Sequence, residues 1–573
     1  MGTISDKLMR IISTKEDIRQ ALISKGYDVP TSIPFKEYAK MILDLPCKAD
    51  SFPDIEGIVA RYSASGLTNE QMAANPVWVD KTGNGHDLQL KNFSWKGMSG
   101  IGGYVADIDE WGTNSTAAYF ERNSIKITAT FKENASLGLL YHNIKLRQSC
   151  VLKVTGIPEG CDAFLDDRLG NRFYMSEDGV YEIIPSNFLA EALYLSIEKY
   201  PERWYGSKLT IEQLPLYPGA LVFDGVDDYG TCDNFPILTK EKGYTVVALR
   251  QWDQDFLNTT LTGGLLSTGN YSTREGVAFE KIESSNKGYW NLGAGGIIDF
   301  AKSPFTWQTS KQYNNVGILK GDKNHGKPLC VGCGLSGGQQ CGRFAIWELV
   351  FLDHDATEEE LTKIKDYFVK TYPWLFPDQA WTVVGKTNED EDRATIANIT
   401  GNGNDLILSN FGFAEGSGYN EEGEYAGYLV TDGVDDKIIS SIFKMGNDWT
   451  VIGDWELINT GKNDNAGIVK FDSIVIYNYN SMLINIKNGR NILIPDQNTV
   501  NAICSDGRIY SKDWKESIYN EETESTSKNF LTIGYSGNAY TKIAFKNLAI
   551  YPTVLSREDC IKAYNYLQTL KAK

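Results

Sequence analysis

Hydrophobic and polar residues follow two different periods along this chain. From about residue 54 onward, short β-branched and aromatic runs recur, as in YTVVALRQW at 244–252 and WTVIGDWEL at 449–457. Turn-forming stretches such as TGNG and DGVDD separate these runs, as expected between the strands of a sheet. The pattern predicts a mainly β fold for this part of the chain.

Residues 1–46 instead carry apolar side chains at helical spacing. STKE at 13–16 is a capping box that starts a second helix, and Gly26 suits the end of that helix. A third short apolar stripe follows Pro34, a residue typical of a first helical turn. A module this small buries too little surface to be robust alone, so we expect it to dock on itself or on a larger partner. The residues predicted to form this attachment interface are Ile4, Leu8, Ile11, Ile18, Leu22, Phe35, Tyr38 and Ile42.

An internal duplication organises the rest of the chain. TGNGHDLQLKNFS at 82–94 matches TGNGNDLILSNFG at 400–412, and GLTNE at 66–70 precedes the first as GKTNE at 385–389 precedes the second. Repeats of this length indicate two copies of one domain.

The first copy contains an insertion. DGVDD follows the TGNG stretch at 224–228 in the first copy and at 432–436 in the second, so the first copy is longer by about 110 residues. The insertion, at about 112–218, has its own strand-like runs and is predicted to be a small β-sandwich. These runs are SIKITATF (124–131), CVLKVTG (150–156), YEIIP (181–185), LYLSIE (193–198) and SKLTIEQL (207–214).

Both copies end with the same pair of elements. ELVFLDHDATEEEL at 348–361 matches NLAIYPTVLSREDC at 547–560, which predicts a strand followed by a helix. Thr357 with Glu360 forms a capping box at the start of the first helix. Ser556 with Asp559 places an equivalent but shorter acid at the start of the second.

These motifs together resemble the laminin-G-like, concanavalin A-type β-sandwich family. The resemblance implies two jelly-roll sandwiches, one at 54–111 and 219–374 and the other at 375–573, with the small β domain at 112–218 inserted in the first. Some laminin-G-like domains bind calcium. The N-terminal pattern TKEDIRQALISKGYDVP…IPFKEYAKMI is similar to N-terminal modules of tailed-bacteriophage structural proteins, and implies a virion protein anchored through 1–46.

Composition and charge narrow the set of partners. Fifty-six Lys and Arg against 74 Asp and Glu give a net charge of −18, which repels nucleic acid and anionic membrane surfaces. No apolar run is long enough to span a bilayer, and no signal peptide precedes the domains. We therefore expect a chain made in the host cytoplasm, with no nucleic-acid or membrane partner. Nine cysteines without a secretory context favour free buried thiols over a disulfide framework.

Two motifs in the stretch 326–353 suggest chemistry that their context does not support. LSGGQ matches the signature of ABC-type ATPases, but no phosphate-binding loop precedes it and a strand is predicted to follow it. Cys330, Cys333, Cys341 and His325 have the residue types of a zinc site. On one continuous strand, however, Cys330 and Cys333 point to opposite faces. We therefore expect neither nucleotide nor zinc binding.

Candidate catalytic residues are few. The paired carboxylates E-x-D-x-E of concanavalin-type glucanases are absent, as are H-E-x-x-H and G-x-S-x-G, and the four histidines are scattered in turn-like stretches. The EDED run at 389–392 is interpreted as a solvated loop. The repeated DGVDD aspartates are interpreted as turn residues that bond the backbone, with structural calcium as the alternative. Trp95, Trp111, Trp252 and Trp455 suit either sugar stacking or a core.

The sequence favours a non-enzymatic bacteriophage virion structural protein, a tail or head fibre or decoration protein, that displays lectin-like domains for host-surface or glycan adhesion. We expect it to need no cofactor, to form a homo-oligomer and to contact other virion proteins through 1–46. Two alternatives stay open: a polysaccharide-degrading enzyme on the same fold, and a bacterial surface adhesin. The missing export signal argues against the adhesin.

Overall fold

The computed structural model places residues 55–573 in one compact unit, distinct from 1–54. Of the N-terminal module, only Lys15 is described, and it is helical. The attachment interface and the STKE capping box therefore lie outside the described residues. The structure describes residue 15 and residues 52–572 apart from 106–107, 114–115, 134–137, 146–149, 184–191, 237, 239–242, 254–255, 257–258, 260, 262, 271–274, 282–286, 291–296, 300–303, 310–328, 336–338, 422, 424, 442, 445, 459–465, 472–473, 479–481, 487–489, 495–499, 512–513, 515, 519–527, 530 and 537–538.

The described chain is mainly β, which confirms the predicted fold class. The strands before the insertion are β1 (Ile58–Ser63), β2 (Val77–Trp78), β3 (Leu88–Lys91) and β4 (Gly100–Ile101). The strands of the insertion are β5 (Gly112–Thr113), β6 (Ala118–Arg122), β7 (Lys126–Phe131), β8 (Gly138–Lys145), β9 (Cys150–Thr155), β10 (Asp162–Asp166), β11 (Arg172–Met175), β12 (Gly179–Ile183), β13 (Ala192–Glu198) and β14 (Lys208–Gln213).

The chain then returns to the first sandwich and continues into the second. The returning strands are β15 (Leu221–Asp224), β16 (Tyr229–Cys232), β17 (Thr245–Trp252), β18 (Gly263–Asn270), β19 (Glu275–Lys281), β20 (Lys287–Trp290), β21 (Ile297–Asp299), β22 (Phe305–Thr309), β23 (Leu329–Val331), β24 (Cys333–Leu335), β25 (Gln339–Cys341) and β26 (Arg343–Leu352). The strands of the second sandwich are β27 (Gln379–Thr382), β28 (Thr395–Ile396), β29 (Leu406–Ser409), β30 (Gly418–Tyr419), β31 (Leu429–Val430), β32 (Lys437–Ser440), β33 (Phe443–Lys444), β34 (Thr450–Leu457), β35 (Ala466–Phe471), β36 (Ile474–Asn478), β37 (Met482–Ile486), β38 (Arg490–Ile494), β39 (Val500–Cys504), β40 (Arg508–Ser511), β41 (Glu516–Ile518), β42 (Lys528–Asn529), β43 (Leu531–Ile533), β44 (Tyr535–Ser536), β45 (Ala539–Tyr540) and β46 (Ile543–Tyr551).

The first sandwich packs two sheets around one apolar core. One sheet has the order β22-β17-β26-β15-β4, with β1 also paired to β26, and the other has the order β2-β3-β16-β23-β18-β19-β20-β21, with β24 and β25 joined to it. Every residue of β17 is buried, because both faces of the strand are covered: Val246, Ala248 and Trp252 belong to the core, while Gln251 bonds Tyr566 of the second copy. β3 instead alternates buried and exposed residues, the period expected of a sheet with one solvated face.

The insertion and the second copy repeat this architecture. The insertion packs the sheet β11-β10-β13-β8-β5 on the sheet β12-β9-β14-β7-β6. Its core also contains Ile108 and Trp111, which a boundary at residue 112 leaves outside. The second copy also packs two sheets face to face around a core. One sheet has the order β30-β31-β46-β34-β39-β40-β41, with β27 also paired to β46, and the other has the order β28-β29-β32-β43-β35-β36-β37-β38. The predicted domain boundaries themselves stay predictions.

Within the described part of residues 52–572, four short helices flank these sheets: α1 (Asn69–Ala74), α2 (Pro201–Trp204), α3 (Glu358–Thr371) and α4 (Arg557–Gln568), with 3-10 turns at Ile108–Glu110 and Pro373–Leu375. Thr357 and Glu360 form the predicted capping box of α3, with both reciprocal bonds present. At α4, the Ser556 hydroxyl likewise accepts from the Asp559 N–H and donates to the Asp559 carboxylate. The reciprocal bond from the carboxylate to the N-cap N–H is described only for α3, as expected because Asp is shorter than Glu. None of the helices that the structure describes is long and apolar enough to cross a membrane.

Candidate ligand-binding site

The duplicated TGNG turns are held by their own side chains. In the first copy, Asp80 Oδ1 accepts from the N–H of Thr82 at 3.0 Å and from its hydroxyl at 2.8 Å. In the second copy, Asn398 Oδ1 accepts from the same two groups of Thr400 at 3.1 and 2.9 Å. The repeated residues therefore shape the backbone of each turn through their own side-chain hydrogen bonds.

The first DGVDD turn closes in the same way. Asp224 Oδ1 accepts from the N–H of Val226 at 2.7 Å, and Asp228 Oδ2 accepts from the N–H of Asp224 at 3.0 Å. The hydroxyl of Ser99 donates to Asp228 Oδ1 at 3.0 Å. Burial raises the pKa of Asp228 to about 7, although its hydrogen bonds act in the opposite direction. The bonds expected of an acidic turn account for this cluster.

The second DGVDD turn repeats this geometry. Asp432 Oδ1 accepts from the N–H of Val434 at 2.7 Å, and Asp436 Oδ2 accepts from the N–H of Asp432 at 2.8 Å. Burial raises the pKa of Asp436 to about 6. In both turns, three carboxylates approach within 4.8 Å of one another, the spacing of a cation site. The alternative of structural calcium therefore stays a prediction, and the turn bonds explain the carboxylates without it.

The cysteine stretch departs from the prediction in two ways. Cys333 and Cys341 lie opposite each other in the β24–β25 hairpin and form a disulfide, whereas free thiols were expected throughout. Gly332, at φ +96°, interrupts the strand, so Cys330 and Cys333 share one small apolar cluster with Cys341 rather than opposite faces. Burial raises the pKa of Cys330 to about 12, so this thiol stays protonated. The other described cysteines are free and buried, as expected: Cys150, Cys161, Cys232, Cys504 and Cys560.

Strand structure surrounds the LSGGQ motif, as predicted. Its first residue ends β24, its last begins β25, and β26 follows directly. An ATPase signature leads into a helix, so this match is unrelated to nucleotide chemistry. Residues 336–338 within the motif, and the lysine-containing stretch 321–328, lie outside the described residues.

Two other polar candidates also serve local structure. In the EDED loop, Asp390 accepts from both the N–H and the hydroxyl of Thr387 at 3.0 Å, and these bonds lower its pKa. His354 lies 3.3 Å from Glu360, the capping residue of α3. Neither group faces a cavity that the structure describes, so neither is a candidate for binding chemistry.

The large aromatic residues are mostly core residues. Trp252, Trp455 and Trp111 are buried in the cores of the first sandwich, the second sandwich and the insertion. Trp95 is half-buried and stacks on Phe93 at the edge of the first core, with ring centroids 4.9 Å apart. Sugar stacking by the first three is thereby excluded.

A cleft of about 290 Å³ lies where the two sandwiches meet. The contact beside it is fixed by Tyr566 of α4, whose hydroxyl donates to Gln251 of β17 at 3.2 Å and whose ring meets Trp347 edge-on at 6.4 Å. The walls are mainly apolar, and include Pro304, Phe305, Phe376, Pro377, Pro552 and Leu570. The polar lining residues are Gln251, Lys365, Asp378, Thr400, Asn402 and Tyr566.

Hydrogen bonds hold several polar groups of this cleft in place. Thr400 Oγ1 and Asn402 Nδ2 both donate to the Asp378 carbonyl, at 3.1 and 2.8 Å, so the second TGNG turn forms part of the wall. Burial raises the pKa of Tyr566 well above its usual value, which keeps the phenol neutral. Asp378 is the only carboxylate among the lining residues, whereas glycosidic hydrolysis commonly needs two. Sequence reasoning missed this cleft because it depends on how two separate sandwiches pack.

Comparison with known proteins leaves the family open. No protein-family model matches the chain, and no curated protein sequence matches it. Among solved structures, the Trypanosoma rangeli sialidase in complex with sialic acid aligns at 8% identity over 79% of this chain and 84% of that chain, with a TM-score of 0.26. The receptor-binding domain of botulinum neurotoxin mosaic serotype C/D aligns at 11% identity over 59% of this chain and 89% of that chain, with a TM-score of 0.23. Similarity at these TM-scores carries no argument about fold or function, so the sandwich architecture rests on the strand pairing itself.

Proposed function

We propose that this chain is a non-enzymatic, lectin-like virion protein whose β-sandwiches bind a glycan of the host surface. The observation that carries the proposal is the cleft between the sandwiches. It combines apolar and aromatic walls with a few fixed polar groups, the usual composition of a small-ligand site. Its volume of about 290 Å³ is at the lower end for such sites and suits one or two sugar residues.

The cleft chemistry favours recognition over turnover. A sugar ring presents an apolar C–H face, which Phe305 and Phe376 can cover, and hydroxyls at its edge. Lys365 and Asp378 offer a donor and an acceptor for such hydroxyls. Because Asp378 has no second carboxylate among the lining residues, the paired acid chemistry of most glycosidases has no basis here.

The binding part of the proposal is tested with full-length protein and purified host-surface polysaccharide. We expect saturable binding by wild type and a loss of about tenfold or more when Lys365→Trp places a bulky side chain in the cleft. Lys363→Trp, exposed on the outer side of the same helix, is the matched control. Release of reducing sugar during the incubation would instead establish the depolymerase alternative.

The virion part of the proposal comes from residues 1–46, whose pattern resembles tailed-phage structural proteins. We propose that this module joins other virion proteins and that the sandwiches extend the binding surface outward. Peptides of this chain in purified particles, detected by mass spectrometry, would support that placement. Their absence from particles, with the protein found on the bacterial surface, would establish the adhesin alternative.

A further inference from the structure

The inserted domain carries a second surface with binding chemistry, on the outer face of the sheet β11-β10-β13. Strand register places Phe164 of β10 opposite Tyr174 of β11, and Asp166 opposite both Arg172 of β11 and Tyr194 of β13. The intervening residues of these strands point inward and form the core of the domain. Aromatic and charged side chains are therefore collected on one face of three adjacent strands.

Two arginine guanidiniums lie over aromatic rings on this face. The Arg172 guanidinium lies 4.6 Å from the centre of the Phe164 ring, and the Arg168 guanidinium lies 3.8 Å from the centre of the Tyr194 ring. An arginine over an aromatic ring gains a cation–π interaction, and its five N–H donors give it a large capacity for hydrogen bonding. Arg172 also donates to the Tyr174 hydroxyl at 3.2 Å.

The β10–β11 turn holds Arg168 in place. Its backbone adopts φ +55°, an unfavourable region for a residue with a side chain. Asp166 Oδ1 accepts from the Arg168 N–H at 2.8 Å, and Asp167 Oδ1 accepts from the N–H groups of Leu169 and Asn171 at 2.8 and 3.0 Å. The turn thus maintains a strained conformation that brings Arg168 back over the sheet.

Charge on this face is balanced. Arg172 lies 3.9 Å from Asp166 and 3.6 Å from Glu198, and Lys199 pairs with Asp162 at the margin. Three cations, Arg168 included, thus face three carboxylates. Since the whole chain carries a net charge of −18, neither the face nor the protein attracts a polyanion. The match is to an uncharged ligand that both donates and accepts hydrogen bonds.

We infer that this face binds a neutral oligosaccharide, a conclusion that rests on the proposed glycan-binding function but assigns it to a site separate from the cleft. The C–H face of a sugar ring packs on Tyr174, whose side chain is 45% exposed. The hydroxyls of the sugar accept hydrogen bonds from Arg172 and donate hydrogen bonds to the Asp166 and Glu198 carboxylates, and both kinds are charge-assisted. The remaining faces of the ligand stay in solvent, as on an open sheet surface.

The test measures binding of the full chain to a panel of neutral hexasaccharides, namely malto-, cello-, xylo-, manno- and laminarihexaose, with oligogalacturonate and single-stranded RNA as polyanions. We expect at least one neutral sugar to bind, and Tyr174→Ala and Arg172→Ala each to weaken it by about tenfold or more, about 1.4 kcal/mol. Tyr174→Phe should retain most of the affinity. The matched control is Tyr119→Ala, since Tyr119 is 68% exposed on the other sheet of the same domain beneath Lys132.

The outcomes separate this inference from the proposed function. If a neutral sugar binds and is lost only with Lys365→Trp in the cleft, the glycan-binding function stands and the sheet-face site is wrong. If no neutral sugar of the panel binds wild type, the sheet-face assignment fails, whereas binding to purified host-surface polysaccharide decides the proposed function separately. Preferential binding of oligogalacturonate or RNA would also overturn the assignment. Melting temperatures of the variants within a degree or two of wild type ensure that lost binding reflects the surface, since both substituted side chains are exposed.

Discussion

Arg61 and Glu348 form a buried ion pair whose disruption should destabilise the first sandwich. Arg61 is 4% exposed and Glu348 is fully buried. Arg61 Nε donates to Glu348 Oε2 at 3.2 Å and its Nη2 to Oε1 at 3.3 Å, while Tyr367 accepts from Nη2 at 2.9 Å. The Tyr372 hydroxyl donates to Glu348 at 2.8 Å. Each charge therefore depends on the other for compensation inside the protein.

The second sandwich shows that the fold does not require this pair. In the first copy, Arg61 lies opposite Val350; at the equivalent position of the second copy, Ala380 lies opposite Ala549. Asn547 is the residue of the second copy that corresponds to Glu348. Removing one charge of the first pair leaves the other buried and uncompensated, a loss of about 3–5 kcal/mol. For a domain of this size, that lowers its melting temperature by about 6–20 °C. Removing both charges should cost less, because no charge then stays buried.

The experiment is a double-mutant cycle of Arg61→Met and Glu348→Gln, followed by calorimetry so that the transition of the first sandwich is resolved from the others. Arg61→Met alone should lower that transition by the stated amount. Adding Glu348→Gln to the Arg61→Met variant should raise the melting temperature of the first sandwich again, because the second substitution removes the unpaired buried charge. Additive losses would refute the argument, since they would show that Glu348 stabilises the sandwich independently of Arg61.

Three further predictions concern the turn, the insertion and the N-terminal module. Burial raises the pKa of Asp228 from 3.8 to about 7 in the folded protein. Protonation of Asp228 therefore stabilises the folded state fully below about pH 4, and this stabilisation is lost as the pH rises through about 7. Asp228→Asn should flatten the dependence of melting temperature on pH between these values. Deleting 105–214 should leave two folded sandwiches, because the Leu216 N–H donates to the Gly103 carbonyl at 2.9 Å and a short linker can join these neighbours; loss of cooperative unfolding would contradict this. A chain lacking 1–46 should stay folded yet fail to enter particles, and incorporation at the wild-type level would show that the module is not the anchor.

Local patterns allowed much of the fold to be predicted. The run 244–252 predicted β17, and the hydroxyl and acid at Thr357 and Glu360 predicted the start of α3, because strand period and helix capping depend on neighbouring residues. Prediction failed at the cysteines because Gly332 changes the direction of the chain within one strand. It also missed the cleft and the sheet face of the insertion. The cleft depends on residues far apart in sequence, such as Gln251 with Tyr566, and the sheet face depends on the register of β10 with β11 and β13, neither of which the sequence pattern specifies.

The duplication itself indicates where function lies in this molecule. Residues that the two copies share hold their own turns, as the hydroxyls of Thr82 and Thr400 do, and in the second copy Thr400 also lines the cleft. The two proposed sites nevertheless lie where the surroundings of the copies differ. The first copy carries the insertion with its arginine-stacked face, and the cleft is made by unlike elements, α4 of the second copy meeting β17 of the first. A duplicated domain that kept its original site would present the same ligand groups twice. The described residues present two different sets of polar and aromatic groups at the two proposed sites, so the Tyr174 and Lys365 variants test those sites independently.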